Sequence, residues 1–416
     1  MLLVIPLRLF LFPFIMAACF ISMDQKFDPF GLNFTVLRIL ISIGILRFII
    51  RRETRVIQWN NFDKLFLSWV LTESLVNIAQ QLTFSTIITR SGVLFDSIGM
   101  YWLFRQATRT WDDVFQAVKI YAIFAIITAP FIALEKNQKM NFFSAFGSVT
   151  GQFHNGRFRA AGAFPHYIIM GCFWTSLLSL FYARIKSQKD KILYWVAMLA
   201  ALSNVICSAS STPIITLLAM IFFWILYNYR MHGKAMFWGT CFGLFLLHLI
   251  MKAPVWHLIS RINIFEGSTG WHRYFLFDNF IKHISEWYLI GTNSTAHWGH
   301  VQFDITNQFV LVGIRGGMIT LLLFIILIYS AVKIPGKFSL SNITSEIKWM
   351  SWGICVTLLG HFVTFWGVSY FGQINTLLYY TLALVGFILE EDIGLQQNSQ
   401  VAPTLILCKN LKSSPT

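Results

Sequence analysis

The stretch QFVLVGIRGGMITLLLFIILIYSA, residues 308–331, carries a single charged residue, Arg315. A bilayer span takes roughly 20 apolar residues, so this stretch is long enough to cross a membrane. Comparable runs lie near 2–22, 33–50, 65–84, 93–108, 117–135, 166–184, 191–208, 212–229, 235–252, 349–369 and 373–390. Since lipid excludes irregular backbone, the sequence predicts an all-α polytopic membrane protein with about 12 transmembrane helices.

Composition excludes an ordinary soluble domain. Hydrophobic residues make up 56% of the chain and charged residues 12%, which leaves too little polar surface to cover a soluble core. The six cysteines form no CxxC pair and are interpreted as packing residues. The first run has only Arg8 as a basic residue and no small-residue cleavage site, so we expect a retained span.

Basic residues in the short loops predict the orientation, because membrane proteins concentrate Lys and Arg on the cytoplasmic side. This bias also explains the net charge of +14 without a nucleic-acid partner. If every span is real, the following residues share one side: Arg51, Arg52, Arg55, Arg105, Arg109, Arg184, Lys186, Lys189, Lys191, Arg230, Lys234, Lys333, Lys337 and Lys348. Both termini are therefore predicted to be cytoplasmic.

Two long polar loops, about 136–165 and 254–303, fall on the opposite, periplasmic side of this topology. We expect residues 1–390 to form a single transmembrane domain that includes them. Residues 391–416 are predicted to be a polar cytoplasmic tail, weakly ordered as chain ends often are.

The first loop ends in GRFRAAGAFPH, residues 156–166. Arg157 and Arg159 are spaced to lie on one side of an extended segment, and a planar guanidinium suits phosphate oxygens. The alternative is interfacial anchoring at lipid head groups. Because basic residues are disfavoured on the outer face, we favour substrate binding by both arginines and by His166.

The second loop contains Arg261 and then TGWHRY, residues 269–274. An amphipathic pattern between Leu276 and Ile284 predicts a short helix along the membrane surface. Arg273 would lie at the start of this helix and face the same cavity as Arg159, beside His272.

Three further histidines of this loop are interpreted as solvated: His283, His297 and His300. With no carboxylate at helical distance, their spacing does not match a zinc signature. We expect no metal and no cofactor.

Polar residues precede the span at 308–331. Asp304 is the best-placed candidate for a general base, with Asn307 in the same substrate-binding region. Arg315 within the span either binds substrate or pairs with Asp304. The hydroxyl-rich turn SASSTP, residues 208–213, is expected to cap a helix and alternatively to line the pocket.

No phosphate-binding glycine loop, Walker lysine or Ser-His-Asp order is visible. An outward-facing site without such motifs favours a lipid-linked donor over a soluble nucleotide sugar.

The chain resembles the O-antigen ligase and O-antigen (exopolysaccharide) polymerase superfamily of bacterial membrane glycosyltransferases. Residues 159–166, RAAGAFPH, resemble the family's re-entry segment, with Ala163 where the family often has proline. Residues 210–213 resemble its Ser-rich turn. Residues 269–273 and 287–292 resemble the arginine helix and glycine segment of its large loop, and DITN at 304–307 resembles the start of the following span.

The resemblance implies a GT-C-like enzyme that transfers a glycan from undecaprenyl pyrophosphate to an acceptor hydroxyl without a metal. Arg159 and Arg273 would hold the pyrophosphate as it leaves. Family ligases place a histidine just before the asparagine, where this chain has Thr306. This departure favours a polymerase with Asp304 as the base, although His297 or His300 could substitute.

Three functions stay open at this point: a polymerase of lipid-linked repeat units, a ligase that moves a glycan to a lipid or protein acceptor, and a transporter or flippase. The partners implied are the lipid-linked glycan donor, a glycan or lipid acceptor, membrane lipids, and flippase and chain-length regulator proteins. The implied location is the bacterial inner membrane. Transporters often contain related halves and mid-membrane charges, and neither feature is evident in the sequence.

Overall fold

The computed structural model describes residues 2–23, 25–27, 34–148, 151–154, 156–187, 190–261 and 270–411, with side chains to 397. Thr269, which precedes the predicted arginine helix, lies outside them. The helices are α1 (Phe12–Phe20), α2 (Val36–Ile50), α3 (Asn61–Gln81), α4 (Phe84–Ala107), α5 (Trp111–Gln138), α6 (Tyr167–Lys186), α7 (Lys191–Cys207), α8 (Ser211–Ile225), α9 (Gly233–Ile250), α10 (Gly270–Lys282), α11 (Ile284–Trp287), α12 (Gln308–Phe338), α13 (Ser345–Phe365) and α14 (Ile374–Leu411). Two small antiparallel hairpins pair β1 (Lys26–Phe27) with β2 (Phe34–Thr35) and β3 (Gln152–His154) with β4 (Arg157–Arg159).

Every predicted span corresponds to a helix. In the described part of the chain, four helical runs are long and apolar enough to cross a membrane: Trp111–Gln138, Tyr167–Lys186, Ser211–Ile250 and Gln308–Phe338. The total of twelve spans stays a prediction. The first run was predicted too long, because α1 covers only Phe12–Phe20. At about 1.5 Å per residue, such a helix is roughly 14 Å long and cannot cross a bilayer alone.

The fourth helix is longer than the sequence predicted. Residues 84–92, predicted as part of a loop, belong to α4, which begins directly after the Thr83 cap. Two charged side chains of this helix are bonded to neighbouring helices. Asp96 binds Arg38 at 2.9 Å, and Arg90 Nε donates to Asn77 Oδ1 at 2.6 Å.

The run Ser211–Ile250 is a helical hairpin. Its two helices, α8 and α9, are joined by a 3-10 turn at Leu226–His232. Near one end Thr212 binds Arg273 of α10, and near the other His248 stacks on Trp256, whose indole donates to Asp278 of α10. A straight helix of this length would be about 60 Å long, so the chain must reverse for both ends to meet α10.

Apolar surface distinguishes the centre of the bundle from its outside. Helix α6 buries most of its residues between α7, α13 and α8. In contrast, α9 buries none of its residues although it is almost wholly apolar. Together with the four long apolar runs, this exposed surface is that of a helical membrane protein.

The bundle has two chemically different ends. The loop end is defined by the carboxyl end of α5 and the amino ends of α6, α8, α12 and α14. At this end the Gln373 side chain, directly before α14, donates to the Ala163 carbonyl of the first loop at 2.7 Å. The basic end carries Arg55 and Arg105, which both lie near Glu390, and Arg184, which lies over Phe115 of α5. The basic loops therefore share one end, as the sequence predicted.

The long loops and the C-terminal segment contain more helix than expected. The second loop holds α10 and α11, and α10 begins six residues before the predicted Leu276. Helix α14 continues past Glu390 to Leu411 and covers much of the predicted tail. The helix continues through Gly394 and Pro403, although both residue types disfavour a helix interior.

Candidate functional site

The first loop presents its arginines on a β-hairpin. In the β3–β4 register Gln152 pairs with Arg159 and His154 with Arg157. Arg157 and Arg159 therefore lie on one side of an extended strand, which confirms the prediction. Arg157 is exposed, whereas Arg159 is half-buried.

A buried acid at the end of α5 holds this hairpin in place. The Glu135 carboxylate accepts backbone N–H groups from Gly151 at 3.1 Å, Ala161 at 3.1 Å and Gly162 at 2.8 Å. Its neighbour Lys136 donates to the Phe158 carbonyl. Gly162 adopts φ +58°, a left-handed conformation that favours glycine. The sequence analysis missed Glu135, although an acid within an apolar run was a signal.

Arg159 contacts the first residue of α6. Its Nη1 donates to the Tyr167 hydroxyl at 3.0 Å, and its guanidinium lies 4.8 Å from the centre of that ring. Tyr167 was also missed by the sequence analysis. The contact places the guanidinium at the amino end of α6, where helix dipoles favour an anion.

His166 caps α6. Its Nδ1 accepts the Ile168 N–H at 3.2 Å, so in the neutral ring Nε2 carries the proton. Burial, with a further contribution from Arg159, lowers the His166 pKa to about 4, and Asp304 opposes this shift. At neutral pH His166 is thus an uncharged hydrogen-bond donor, and its pKa responds to two of the three predicted catalytic residues, Arg159 and Asp304.

Arg273 lies in the first turn of α10, as predicted, and is only 7% exposed. Its Nη2 donates to Thr212 Oγ1 at 3.0 Å. Burial lowers the pKa of the Arg273 guanidinium, and Cys172 of α6 opposes that shift. In the described part of the chain no carboxylate pairs with Arg273.

The hydroxyl-rich turn contacts this site through Thr212, which accepts the hydrogen bond from Arg273. The prediction that it caps a helix was wrong, because Ser210 precedes α8 without a capping hydrogen bond. The hydroxyl of Ser208 instead donates to Val205 O at 2.7 Å.

Asp304 lies beside the same elements. It is exposed, and its carbonyl accepts His272 Nε2–H at 2.9 Å. His272 directly precedes Arg273. The negative charge of Asp304 also raises the pKa of His166. The α6 residues that meet the two arginines, Tyr167 and Cys172, are about 7.5 Å apart along the helix. The structure thus brings Arg159, Arg273, Asp304, His166 and His272 to one end of α6.

Asn307 caps a helix at this end of the bundle. Its Oδ1 accepts the N–H groups of Phe309 at 2.9 Å and Val310 at 3.2 Å, which caps α12. Substrate binding by Asn307 stays a prediction. Arg261 ends a 3-10 turn and is exposed, and among the described residues it makes no contact with this site.

Arg315 belongs to a separate polar cluster. Of the two alternatives for Arg315, pairing with Asp304 was wrong, because Arg315 Nη1 lies 4.0 Å from Glu73 Oε1 of α3. Substrate binding by Arg315 stays a prediction. Two residues later α12 is broken at Gly317, with φ 72° and ψ −173°. The Tyr288 carbonyl accepts the Met318 N–H at 2.8 Å beside the break.

A buried histidine beneath the site was not predicted. His361 of α13 is fully buried, and its Nδ1 lies 2.7 Å from the Tyr370 hydroxyl. The Tyr370 N–H donates to Gln308 Oε1 at 2.7 Å. These contacts join α12, α13 and the segment before α14. The signal in the sequence was a histidine within an apolar run.

The interpretation of the loop histidines as lacking a carboxylate was wrong. Glu286 follows His283 by three residues, and the structure places it against both His283 and His297 at 2.7 Å.

No protein family model matches this chain, and neither the curated proteins nor the solved structures contain a match. Functional inference therefore depends on the site itself.

Proposed function

We propose that this protein polymerises undecaprenyl-pyrophosphate-linked oligosaccharide repeat units at the outer face of the bacterial inner membrane. The observation that carries this proposal is the convergence of Arg159, Arg273 and Asp304 from three separate segments at one end of α6. Two guanidinium groups and a carboxylate beside an apolar bundle suit a reaction that releases a lipid pyrophosphate.

The proposed reaction is a single displacement. The acceptor hydroxyl oxygen attacks the anomeric carbon, and its proton passes to the Asp304 carboxylate. The bond from that carbon to the pyrophosphate oxygen breaks, and its electron pair leaves with the lipid pyrophosphate. Arg159 and Arg273 stabilise the charge that develops on the leaving group. The configuration of the anomeric carbon is inverted.

His166 has a positioning role in this scheme. It is uncharged at neutral pH, and its Nδ1 already accepts a backbone N–H. Its Nε2–H is then available to a sugar or phosphate oxygen. This assignment gives the proton-accepting role to Asp304 rather than to His166.

A transporter of lipid-linked sugars is the second candidate. Broken helices and intramembrane charges are common at transporter binding sites. Helix α12 is broken at Gly317, two residues after Arg315, which faces Glu73. This feature favours transport, whereas the convergence at α6 favours glycosyl transfer. A ligase would use the same α6 site with a different acceptor.

Glycan analysis of cells separates the three functions. We expect Arg159→Ala, Arg273→Ala and Asp304→Ala each to abolish polymer while single repeat units accumulate on the carrier in the outer leaflet. Removal of one such electrostatic contact costs about 10²–10³-fold in rate in well-studied enzymes. Lys282→Ala, an exposed cation on the same helix as Arg273, is the matched control and should give normal polymer.

Other outcomes identify the other functions. Full-length polymer that remains on the carrier would indicate a ligase. Repeat units confined to the inner leaflet, inaccessible to a membrane-impermeant probe, would indicate a transporter. Normal polymer in all three variants, at normal protein levels, would overturn the proposed site.

A further inference from the structure

Two histidines and a glutamate meet in the second loop, away from the residues assigned to glycosyl transfer. His283 Nδ1 lies 2.7 Å from Glu286 Oε1, and His297 Nε2 lies 2.7 Å from Glu286 Oε2. Each carboxylate oxygen therefore faces a different imidazole. His283 and Glu286 lie at α11, whereas His297 lies in a 3-10 turn at Ala296–Trp298.

The donor atoms are close enough for one metal ion. One ligand atom from each residue lies within 4.8 Å of the others. Tetrahedral zinc with bonds of about 2.0–2.1 Å separates its ligand atoms by about 3.4 Å. The distance between each histidine nitrogen and its glutamate oxygen would need to increase by about 0.7 Å, which small side-chain rotations provide.

Neighbouring groups hold the carboxylate in this orientation. The Trp298 indole N–H donates to Glu286 Oε2 at 2.9 Å, and the His283 ring stacks on the Trp298 ring at 5.2 Å and 12°. Trp298 is itself buried, and its carbonyl accepts Asn279 Nδ2 at 3.0 Å. Such outer contacts orient the ligands of metal sites.

We propose that His283, Glu286 and His297 bind one Zn²⁺ ion and that solvent completes its coordination. Two imidazoles and a carboxylate are a ligand set that zinc uses with an open position. All three ligands are accessible to solvent, so the ion can enter from the periplasmic side.

The ion would join the two segments that carry the proposed catalytic charges. Arg273 lies ten residues before His283 in the chain, and Asp304 lies seven residues after His297. Zinc would therefore fix the end of α10 and α11 against the loop that leads to Asp304. Metal binding itself does not depend on the proposed glycosyl transfer, so either proposal can fail alone.

Equilibrium dialysis of the purified full-length protein in detergent tests the site, with Zn²⁺ as the probe after removal of metal by a chelator. Wild type is expected to bind one Zn²⁺ per chain, and Glu286→Gln and His297→Asn are expected to lose it. His300→Asn removes an exposed histidine of the same loop and should keep the ion. Trp298→Phe, which removes the orienting indole N–H and keeps an aromatic ring, should weaken binding by about 10–100-fold.

Thermal unfolding supplies a second readout, because a ligand that binds only the folded state stabilises it. Zn²⁺ should raise the Tm of wild type and of His300→Asn, and not that of Glu286→Gln or His297→Asn. Absence of saturable binding by wild type would overturn the proposal. Equal zinc content in Glu286→Gln, His297→Asn and wild type would also overturn it. Each variant is checked for wild-type elution in size-exclusion chromatography.

Discussion

Arg105 and Arg47 at the basic end of the bundle are paired with carboxylates, whereas no carboxylate among the described residues pairs with Arg159 or Arg273 at the α6 site. Arg105 binds Asp63 at 3.1 Å and Arg47 binds Glu53 at 2.9 Å. In the described residues the partners of Arg159 and Arg273 are the hydroxyls of Tyr167 and Thr212. A buried cation without a carboxylate costs desolvation energy that the fold does not recover. The basic-end arginines thus have charge partners within the fold, and this difference supports the proposal that Arg159 and Arg273 bind an anion.

The largest effect on stability is expected at the basic end. Asp63 is fully buried and accepts the Tyr101 hydroxyl at 2.6 Å as well as Arg105. Asp63→Ala leaves Arg105 without this partner and should lower the free energy of unfolding by about 3–5 kcal/mol. Denaturant unfolding in detergent measures this. Asp112→Ala, an exposed acid in the first turn of α5, should cost at most about 1 kcal/mol. Equal losses in both variants would contradict the structural role.

Arg273→Met is expected to behave in the opposite way. It removes a buried cation whose direct partner is a hydroxyl, so the Tm should be unchanged or higher while polymer is lost. The two measurements are thermal unfolding and glycan chain length. A loss of Tm comparable to that of Asp63→Ala would show that Arg273 serves the fold.

A smaller effect is expected where Glu135 holds the Arg159 hairpin. Glu135→Gln keeps one acceptor oxygen but replaces the other with a donor that faces backbone N–H groups. The loss should be about 1.5–3 kcal/mol, the usual range for a hydrogen bond to a charged group. Proteolysis of the 148–162 segment should become faster, and polymer should fall in proportion. Wild-type resistance of Glu135→Gln to proteolysis would show that Glu135 does not hold the hairpin in place.

The effect of His166 is absent at neutral pH and emerges only as a pH dependence of stability under acidic conditions. Its pKa is about 4 in the folded protein instead of 6.5, so the unfolded chain binds the extra proton between these values. The stabilising contribution is complete above pH 6.5 and decreases as the pH falls from 6.5 towards 4. The Tm of wild type should fall more steeply across this window than that of His166→Gln. Parallel dependence of Tm on pH in wild type and His166→Gln would contradict the lowered pKa of His166.

Local patterns predicted much of this structure. Apolar runs located the helices, and the spacing of Arg157 and Arg159 predicted their common side of β4. The amphipathic pattern after residue 276 located α10 and placed Arg273 at its start. Each of these inferences depends on residues close together in the chain.

Contacts between distant segments could not be predicted in this way. Arg315 faces Glu73 rather than Asp304, and Thr212 binds Arg273 rather than capping α8. The cluster at Glu286 brings together His283 and His297, which are separated by a loop in the chain. In each case a polar side chain had several possible partners, and helix packing decided between them.

The most direct test of the central claim is the affinity of the purified protein for undecaprenyl pyrophosphate relative to undecaprenol. Charge-assisted contacts of about 1.5–3 kcal/mol each predict that wild type prefers the pyrophosphate by at least about 100-fold. The double variant Arg159→Ala/Arg273→Ala should lose most of this preference, and Lys282→Ala should retain it. Retention of the full preference by the double variant would contradict the claim that these two arginines bind the anion.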